Sequence, residues 1–216
     1  MIVYFHRNPE QLPPLQLETL VDSMPMQQQE IVARTKSHRQ KCEQAIAYTM
    51  LCHALNHNTA EINDPAHHIE TFPESAIRIQ NPLLPLWAFG AHGKPSIINY
   101  EGIHFNISHC KEAVAIGISD HEVGIDVEGR RRFSDTLLQR AFNNDEQELV
   151  ATSNDAELEF ARIWTRKEAY FKWTGTGILM DHLKSVDTDA SADGCVLTSH
   201  LLQDFYLTVA ERRDDH

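Results

Sequence analysis

The chain alternates between two hydrophobic periods. Met1 to His6 is β-rich and loosely alternating, which predicts a first strand. From about Gln27 to Asn56 the apolar positions Ile31, Ala45, Ile46, Tyr48, Thr49, Cys52 and Leu55 recur at three- and four-residue steps, the period of a helix. Gly102 to Ser108 and Ala113 to Ser119 read as strands, and the AVAIGI run of the second predicts a buried one. Glu122 to Glu128 follows across Asp120-His121, a link short enough for a hairpin. Ser134 or Asp135 can cap a helix carrying Leu137, Leu138 and Ala141. Asn144, with Gln147 three residues on, predicts a capping box for the next helix. Asp155 opens a long helix that ends at Gly175. Gly194 to Ser199 and Phe205 to Ala210 read as closing strands. Residues 9 to 25 hold four prolines and read as a linker with a short helix. Asn58 to Pro85 reads as loops with one short element. Strands and helices come in mixed groups without a βαβ rhythm, which predicts an α+β fold. No internal repeat is visible.

At 216 residues the chain could form one large domain or two small ones. Its net charge of -12 argues against general nucleic-acid binding, which calls for a basic face. It leaves room for a phosphate ligand held by a local basic pocket or a metal. Arg34, Lys36, Arg39 and Lys41 make the front of the first long helical stretch basic, and on their own they read as a solvated face. Cys42, Cys52, Cys110 and Cys195 form no CxxC pair, so no zinc or redox motif is expected. They read as the reduced thiols of a cytoplasmic protein. The opening MIVYFHRNP lacks the features of a signal peptide, and no run nears the ~18 apolar residues of a membrane helix.

Chemistry gathers in the C-terminal half. Asp126 and Glu128 lie two apart in a predicted strand and share a face, while Val123, Ile125 and Val127 point into a core. Two carboxylates on one face repel unless a cation or solvent separates them. Glu168 and Lys172 are four apart on the long helix, with Trp164 one turn earlier. The plain reading is a surface ion pair worth about 0.3–0.5 kcal/mol. The same face carries Leu158 and Ala161, however, so it should be buried, and a buried Glu needs a partner. A Mg²⁺ ion shared with Asp126 and Glu128 would supply one. Three carboxylates against one divalent ion still call for cations, and Lys167 and Lys172 are the candidates.

Gly93-Lys94-Pro95 reads as a turn that brings backbone and a point charge to phosphate. Ser108 and His109 end a strand and, with the adjacent amides, could hold a phosphate. They do not make a hydrolase: no G-x-S-x-G surrounds the serine, and adjacent strand residues point to opposite faces.

HGKPS, FNISH, GIDVE and WTRKEAYFKWTGTG, in this order and general spacing, make the chain resemble the 4′-phosphopantetheinyl transferases of the surfactin-synthetase-activating type. The resemblance covers roughly Arg34 to Gly177. It implies two similar α+β subdomains in a pseudo-twofold arrangement with the active site in the cleft between them. The N-terminal half would be residues 1–102, on the nucleotide side, and the C-terminal half 103–216, carrying metal and catalytic residues. It implies transfer of the 4′-phosphopantetheine of coenzyme A to a serine of an apo acyl or peptidyl carrier protein, Mg²⁺-dependent, releasing adenosine 3′,5′-bisphosphate. It further implies Asp126, Glu128 and Glu168 as Mg²⁺ ligands. Glu168 would help deprotonate the carrier serine, and Lys172 would steady the pyrophosphate and leaving group. Arg39, Lys94, Ser108 and His109 are implied as coenzyme A contacts, with Asn106 in the same motif, and Arg34, Arg39 and Lys94 would form a basic entry that attracts the phosphates.

Under this reading the protein is a cytoplasmic monomer with no nucleic-acid or membrane partner, and Arg130-Arg131-Arg132 with Phe133 is a candidate patch for the carrier. Two alternatives stand beside it: a Mg²⁺-dependent phosphohydrolase of nucleotides, and a non-catalytic coenzyme A-binding module. The chain departs from the family pattern at Cys110, Ala47 and Cys52, where a third polar contact, a Gly and an Arg are usual. Gly175 fits a helix end, whereas the sequence supplies no reason for Gly177.

Overall fold

The computed structural model of the chain describes residues 1–57, 59–64, 66–79, 83–90, 92–177, 180–186 and 194–212. Its contacts divide the chain into two units, Met1–His121 and Glu122–His216.

The first unit begins with strand β1 (Ile2–Arg7), buried from Ile2 to His6. Helix α1 (Pro14–Asp22) starts on Pro14 with Pro13 as its N-cap, and α2 (Met26–Arg34) has Pro25 as its N-cap. Proline pre-sets φ for a first helical turn and lacks an N–H that this turn could not satisfy. The long helix expected from Gln27 onward is interrupted at residues 35–37 and resumes as α3 (His38–His57). Thr35 makes the break: its backbone is extended, and its hydroxyl donates to the Ile31 carbonyl at 3.1 Å. Helix α3 is then buried without interruption from Ala45 to Cys52, so it has lost the one-sided pattern its period suggested.

A short helix α4 (Thr59–Ile62) leads to β2 (His68–Thr71), β3 (Trp87–Phe89), β4 (Pro95–Ile97), β5 (His104–His109) and β6 (Ala113–Ser119). The main sheet has the order β2-β1-β6-β5, with β1 parallel to β2 and antiparallel to β6. β3 and β4 form a separate antiparallel ribbon. Ile2, Tyr4, Tyr48, Leu51, Ile116 and Ile118 belong to the core shared by the sheet and α3. The expected boundary at 102/103 falls inside this unit. β6 is registered on β1, with Phe5 opposite Ala115, and β5 on β6, so neither can leave this unit without breaking the sheet.

The second unit opens with β7 (Val123–Gly129), followed by α5 (Asp135–Ala141), α6 (Asn144–Thr152), α7 (Ala156–Thr174), α8 (Met180–Leu183), β8 (Cys195–Leu202) and β9 (Phe205–Arg212). The antiparallel sheet has the order β7-β9-β8. The hairpin expected between β6 and β7 is not formed. Both edges of β6 are taken by β1 and β5, and β7 pairs with β9 instead, Asp126 opposite Thr208.

The helix caps follow the side-chain chemistry. Ser134 accepts from the Leu137 N–H at 3.2 Å, and Asp155 from Leu158 at 3.1 Å. The capping box of α6 sits one residue earlier than expected, on Asn143 and Glu146, which exchange hydrogen bonds of 2.9 and 2.8 Å. Gly175 ends α7 in the left-handed region at φ 69°, and Gly177 repeats that conformation at 77°. A side chain would be strained at both, which supplies the reason for the second glycine. Fold class and mixed topology are therefore α+β. Among the described residues, no helix is long and apolar enough to cross a membrane.

Candidate active site

In the second unit, α7 is packed on two sides. Phe160, Ile163, Trp164 and Phe171 join Phe142, Val150 and Leu183 in a core with the smaller helices. Towards the sheet the helix presents small residues: Ala169 packs with Ala210, and Thr165 shares a 2.9 Å hydrogen bond with Thr208. Gly124, Asp126 and Glu128 alternate onto the face of β7 that meets it. A Cβ on Gly124 would lie 2.2 Å from the Ala169 carbonyl oxygen and 2.4 Å from the Trp173 backbone nitrogen. Strand and helix backbones are therefore as close as an absent side chain allows, which brings the carboxylates of β7 to Glu168 and Lys172.

The electrostatics of this junction follow from burial. Asp126 is 2% exposed, and Lys172 Nζ donates to its Oδ1 at 2.6 Å. Glu128 accepts from Arg131 Nη1, also at 2.6 Å. The Glu128 carboxyl is pushed up to about 7 by burial and by the Asp126 charge, with Arg131 and Lys172 pulling it back. Glu168 is pushed up to about 8, first by burial and then by Asp126, while Lys172 offsets part of this and Glu128 adds to it. The Trp164 indole N–H beside Glu168 also lowers it, although it makes no full hydrogen bond. Two carboxyls raised beside the Asp126 carboxylate make, with it, an oxygen-only donor set short of positive charge, which suits a hard divalent cation. Among the described residues no group of three or more His, Cys, Asp or Glu side chains is arranged to hold a metal ion. Two of these carboxylates instead carry protein cations, Lys172 and Arg131.

Lys167, expected as a counter-charge near this cluster, is placed elsewhere. It is fully buried, 2.9 Å from Glu146, and donates to the Leu183 and Val186 carbonyls at 2.7 and 2.9 Å. It faces the helical side of α7, one position before Glu168 and so about 100° around the axis. The arginine patch also divides. Arg130 pairs with Asp155, the N-cap of α7, and Arg131 with Glu128. Arg132 alone is almost fully exposed, 3.9 Å from Glu157.

The first unit holds the other expected contacts. A cavity of about 480 Å³ is lined by Arg34, Lys36, Glu43, Trp87 and His109, among others. Arg39 stands 3.3 Å and His109 3.6 Å from the buried carboxylate of Glu43. Burial raises the Glu43 carboxyl, and its two partners, first His109 and then Arg39, work against it. Ser108 is buried on the opposite face of β5 from Ile107 and His109, and Asn106 is buried with it. Neither Ser108 nor Lys94 lines the cavity. Lys94 follows Gly93, whose φ of 81° makes the turn, and the Lys94 carbonyl accepts from Gly90 at 2.9 Å.

Arg34, expected at a basic entry for phosphates, lines the cavity. Three contributors carried no such expectation. Lys36 read as part of a solvated face yet lines the cavity. Glu43 carried no motif. Gly124 did carry a signal, since a glycine inside a strand marks a close backbone approach.

Residues 122–212 match the family model of the 4′-phosphopantetheinyl transferase superfamily. The chain is similar to the 4′-phosphopantetheinyl transferase psf-1 of Bacillus pumilus, 35% identical over 105 residues, which are 48% of this chain and 45% of that protein. It is similar to Sfp of Bacillus subtilis (strain 168), 32% identical over 107 residues, 49% of this chain and 47% of that one. AcpT of Escherichia coli (strain K12) is 39% identical over 97 residues, 43% and 50% of the two chains. The chain thus spans about half the length of the curated relatives it matches. All the carboxylates of the cluster lie inside the matched segment.

Proposed function

We propose that this protein is a 4′-phosphopantetheinyl transferase that moves the phosphopantetheine arm of coenzyme A onto a serine of an apo acyl or peptidyl carrier protein. The observation that carries this reading is the cluster of Asp126, Glu128, Glu168 and Lys172, built within the segment that matches the superfamily. In this reading, the serine oxygen bonds to the β-phosphorus, the phosphoanhydride bond breaks, and adenosine 3′,5′-bisphosphate leaves with the bond electrons. Asp126, Glu128 and Glu168 would hold Mg²⁺, which when bound neutralises the pyrophosphate.

A serine hydroxyl is a weak nucleophile and needs a base. Glu168 is the candidate, its side chain half-buried beside Asp126 and its carboxyl, without metal, raised by burial and the Asp126 charge. Lys172 is held in place by Asp126 and offers its remaining protons to phosphate oxygens as charge moves onto the leaving group. In the first unit, Arg34, Lys36 and His109 line the cavity proposed for the phosphates of the nucleotide end, and Lys94, Ser108 and Arg39, which pairs with Glu43, are further proposed contacts. Coenzyme A and carrier proteins are cytoplasmic substrates, which fits the four free thiols.

The test is to mix the purified protein with Mg²⁺, coenzyme A and a panel of apo-carrier proteins, and to read intact mass. One carrier should gain a phosphopantetheine arm. Asp126→Ala and Glu168→Gln should each abolish the gain while keeping a folded protein. Transfer at the original rate by either variant would overturn the assignment of the cluster. Breakdown of coenzyme A without any carrier would overturn the transferase reading in favour of a hydrolase.

A further inference from the structure

Arg131 is used by nothing in the reaction just described, yet it is the most constrained member of its loop. Its Nη1 donates to Glu128 Oε1 at 2.6 Å, and its side chain is only 33% exposed. The guanidinium lies over the Trp164 ring, 4.4 Å from its centroid. Trp164 in turn stacks on Phe160 at 5.8 Å, and Phe160 on Phe133 and Phe142 at 4.5 and 4.7 Å. The arginine is therefore seated at the end of an aromatic column rooted in the core. A planar guanidinium that lies over an aromatic face while donating to a carboxylate is an arrangement that lysine cannot reproduce.

Its neighbours are committed differently. Arg130 is tied to Asp155, and Arg132 reaches into solvent. Arg131 alone reaches the three-carboxylate cluster, and it does so through one of the oxygens expected to bind metal.

Resting on the metal-binding reading above, we propose that Arg131 is a built-in competitor for the divalent cation. It neutralises Glu128 from within the chain, and a cation binds there only by displacing that ion pair, with Trp164 retaining the displaced guanidinium. This weakens the bare site. Loading then depends on the substrate pyrophosphate, whose oxygens supply further ligands to a metal of the magnesium type. A fixed positive charge beside a carboxylate shifts its affinity for a proton by one to three powers of ten, and its affinity for a cation moves in the same sense.

The experiment is calorimetric titration of metal-stripped protein with Mn²⁺, without coenzyme A or carrier, so that no activity enters the readout. Arg131→Gln should bind Mn²⁺ about tenfold more tightly than the unaltered protein. Arg130→Gln, whose arginine serves Asp155, should bind as the unaltered protein does. Arg131→Met keeps an apolar contact on Trp164 and carries the same expectation, so it decides the matter if the glutamine variant does not fold. Mn²⁺ affinity unchanged or weakened in the Arg131 variants overturns the competitor role, and a weakened one would make Arg131 a support of the metal site. Failure of the reading beneath it looks different: neither the unaltered protein nor the Arg131 variants would take up Mn²⁺, or Asp126→Ala would take it up undiminished.

Discussion

Gly124→Ala adds a single carbon where β7 and α7 meet, and the structure fixes what that carbon encounters. It would stand 2.2 Å from the Ala169 carbonyl oxygen, 2.4 Å from the Trp173 nitrogen and 2.8 Å from the Trp173 Cα. Ordinary contact needs about 3.5 Å or more, so strand and helix must part by about 1 Å. All three obstacles are backbone, and no rotamer change relieves them. Overpacking of a core typically costs about 1–3 kcal/mol, and a backbone clash belongs at the top of that range. For a chain of this size, 3 kcal/mol is about 6–12 °C of melting temperature. The same parting would draw Asp126 and Glu128 away from Glu168 and Lys172. Misplacement of about 1 Å in a reacting constellation costs roughly a hundredfold in rate. Thermal melts followed by circular dichroism read the first effect, and initial rates of carrier modification by mass spectrometry read the second. Gly90→Ala is the control, because its Cβ would meet only the Lys94 carbonyl at an ordinary 3.6 Å. There the reduced entropy of the unfolded chain should leave stability level or slightly raised. If Gly124→Ala melted and turned over like the control, the close approach would not be what positions the carboxylates.

Three other outcomes are expected. Lys167→Met removes the ion partner of Glu146 inside the helical core and should cost about 3–5 kcal/mol by thermal melting; the double variant with Glu146→Gln should recover much of it, and a silent single variant would refute the pairing. Folding raises the Glu128 and Glu168 carboxyls from 4.5 to about 7 and about 8, so the folded state binds their protons more tightly. Their stabilising contribution is whole below pH about 4.5 and is lost as pH rises through 7 and 8, so metal-free protein should melt progressively lower across that window. Glu168→Gln should flatten the slope, and a level profile in the unaltered protein would contradict the mutual repulsion. Arg39→Ala should raise KM for coenzyme A about tenfold with kcat nearly kept, the size of one charge-assisted contact; an unchanged KM would remove Arg39 from the nucleotide end.

Strand positions and the acidic cluster were legible in the sequence because each depends on short-range rules. The alternation of GIDVE sends Asp126 and Glu128 to one face in any strand, and the spacing of Glu168 and Lys172 does the same in any helix. Caps were legible to within a residue for the same reason: Ser134 and Asp155 act on N–H groups three positions away. What was not legible depends on which neighbour a face meets. The apolar run of β6 predicted burial, but only the sheet order reveals that both of its edges are taken, so that β7 must pair elsewhere. Lys167 and Lys172 are both lysines of α7, five residues apart, and charge alone assigned both to the metal. Their fates differ because position 167 turns towards α6 and α8, where Glu146 and two carbonyls receive it, while position 172 turns towards β7. The arginine triplet makes the same point. Three adjacent identical residues read as one basic patch, yet a loop that passes the end of α7 gives each a different partner: a helix cap, a carboxylate over an aromatic ring, and solvent. Composition shows how many charges a segment carries. The partner each charge finds is set by the residues the fold brings beside it, and in this cluster that difference separates a docking patch from an internal rival to the metal.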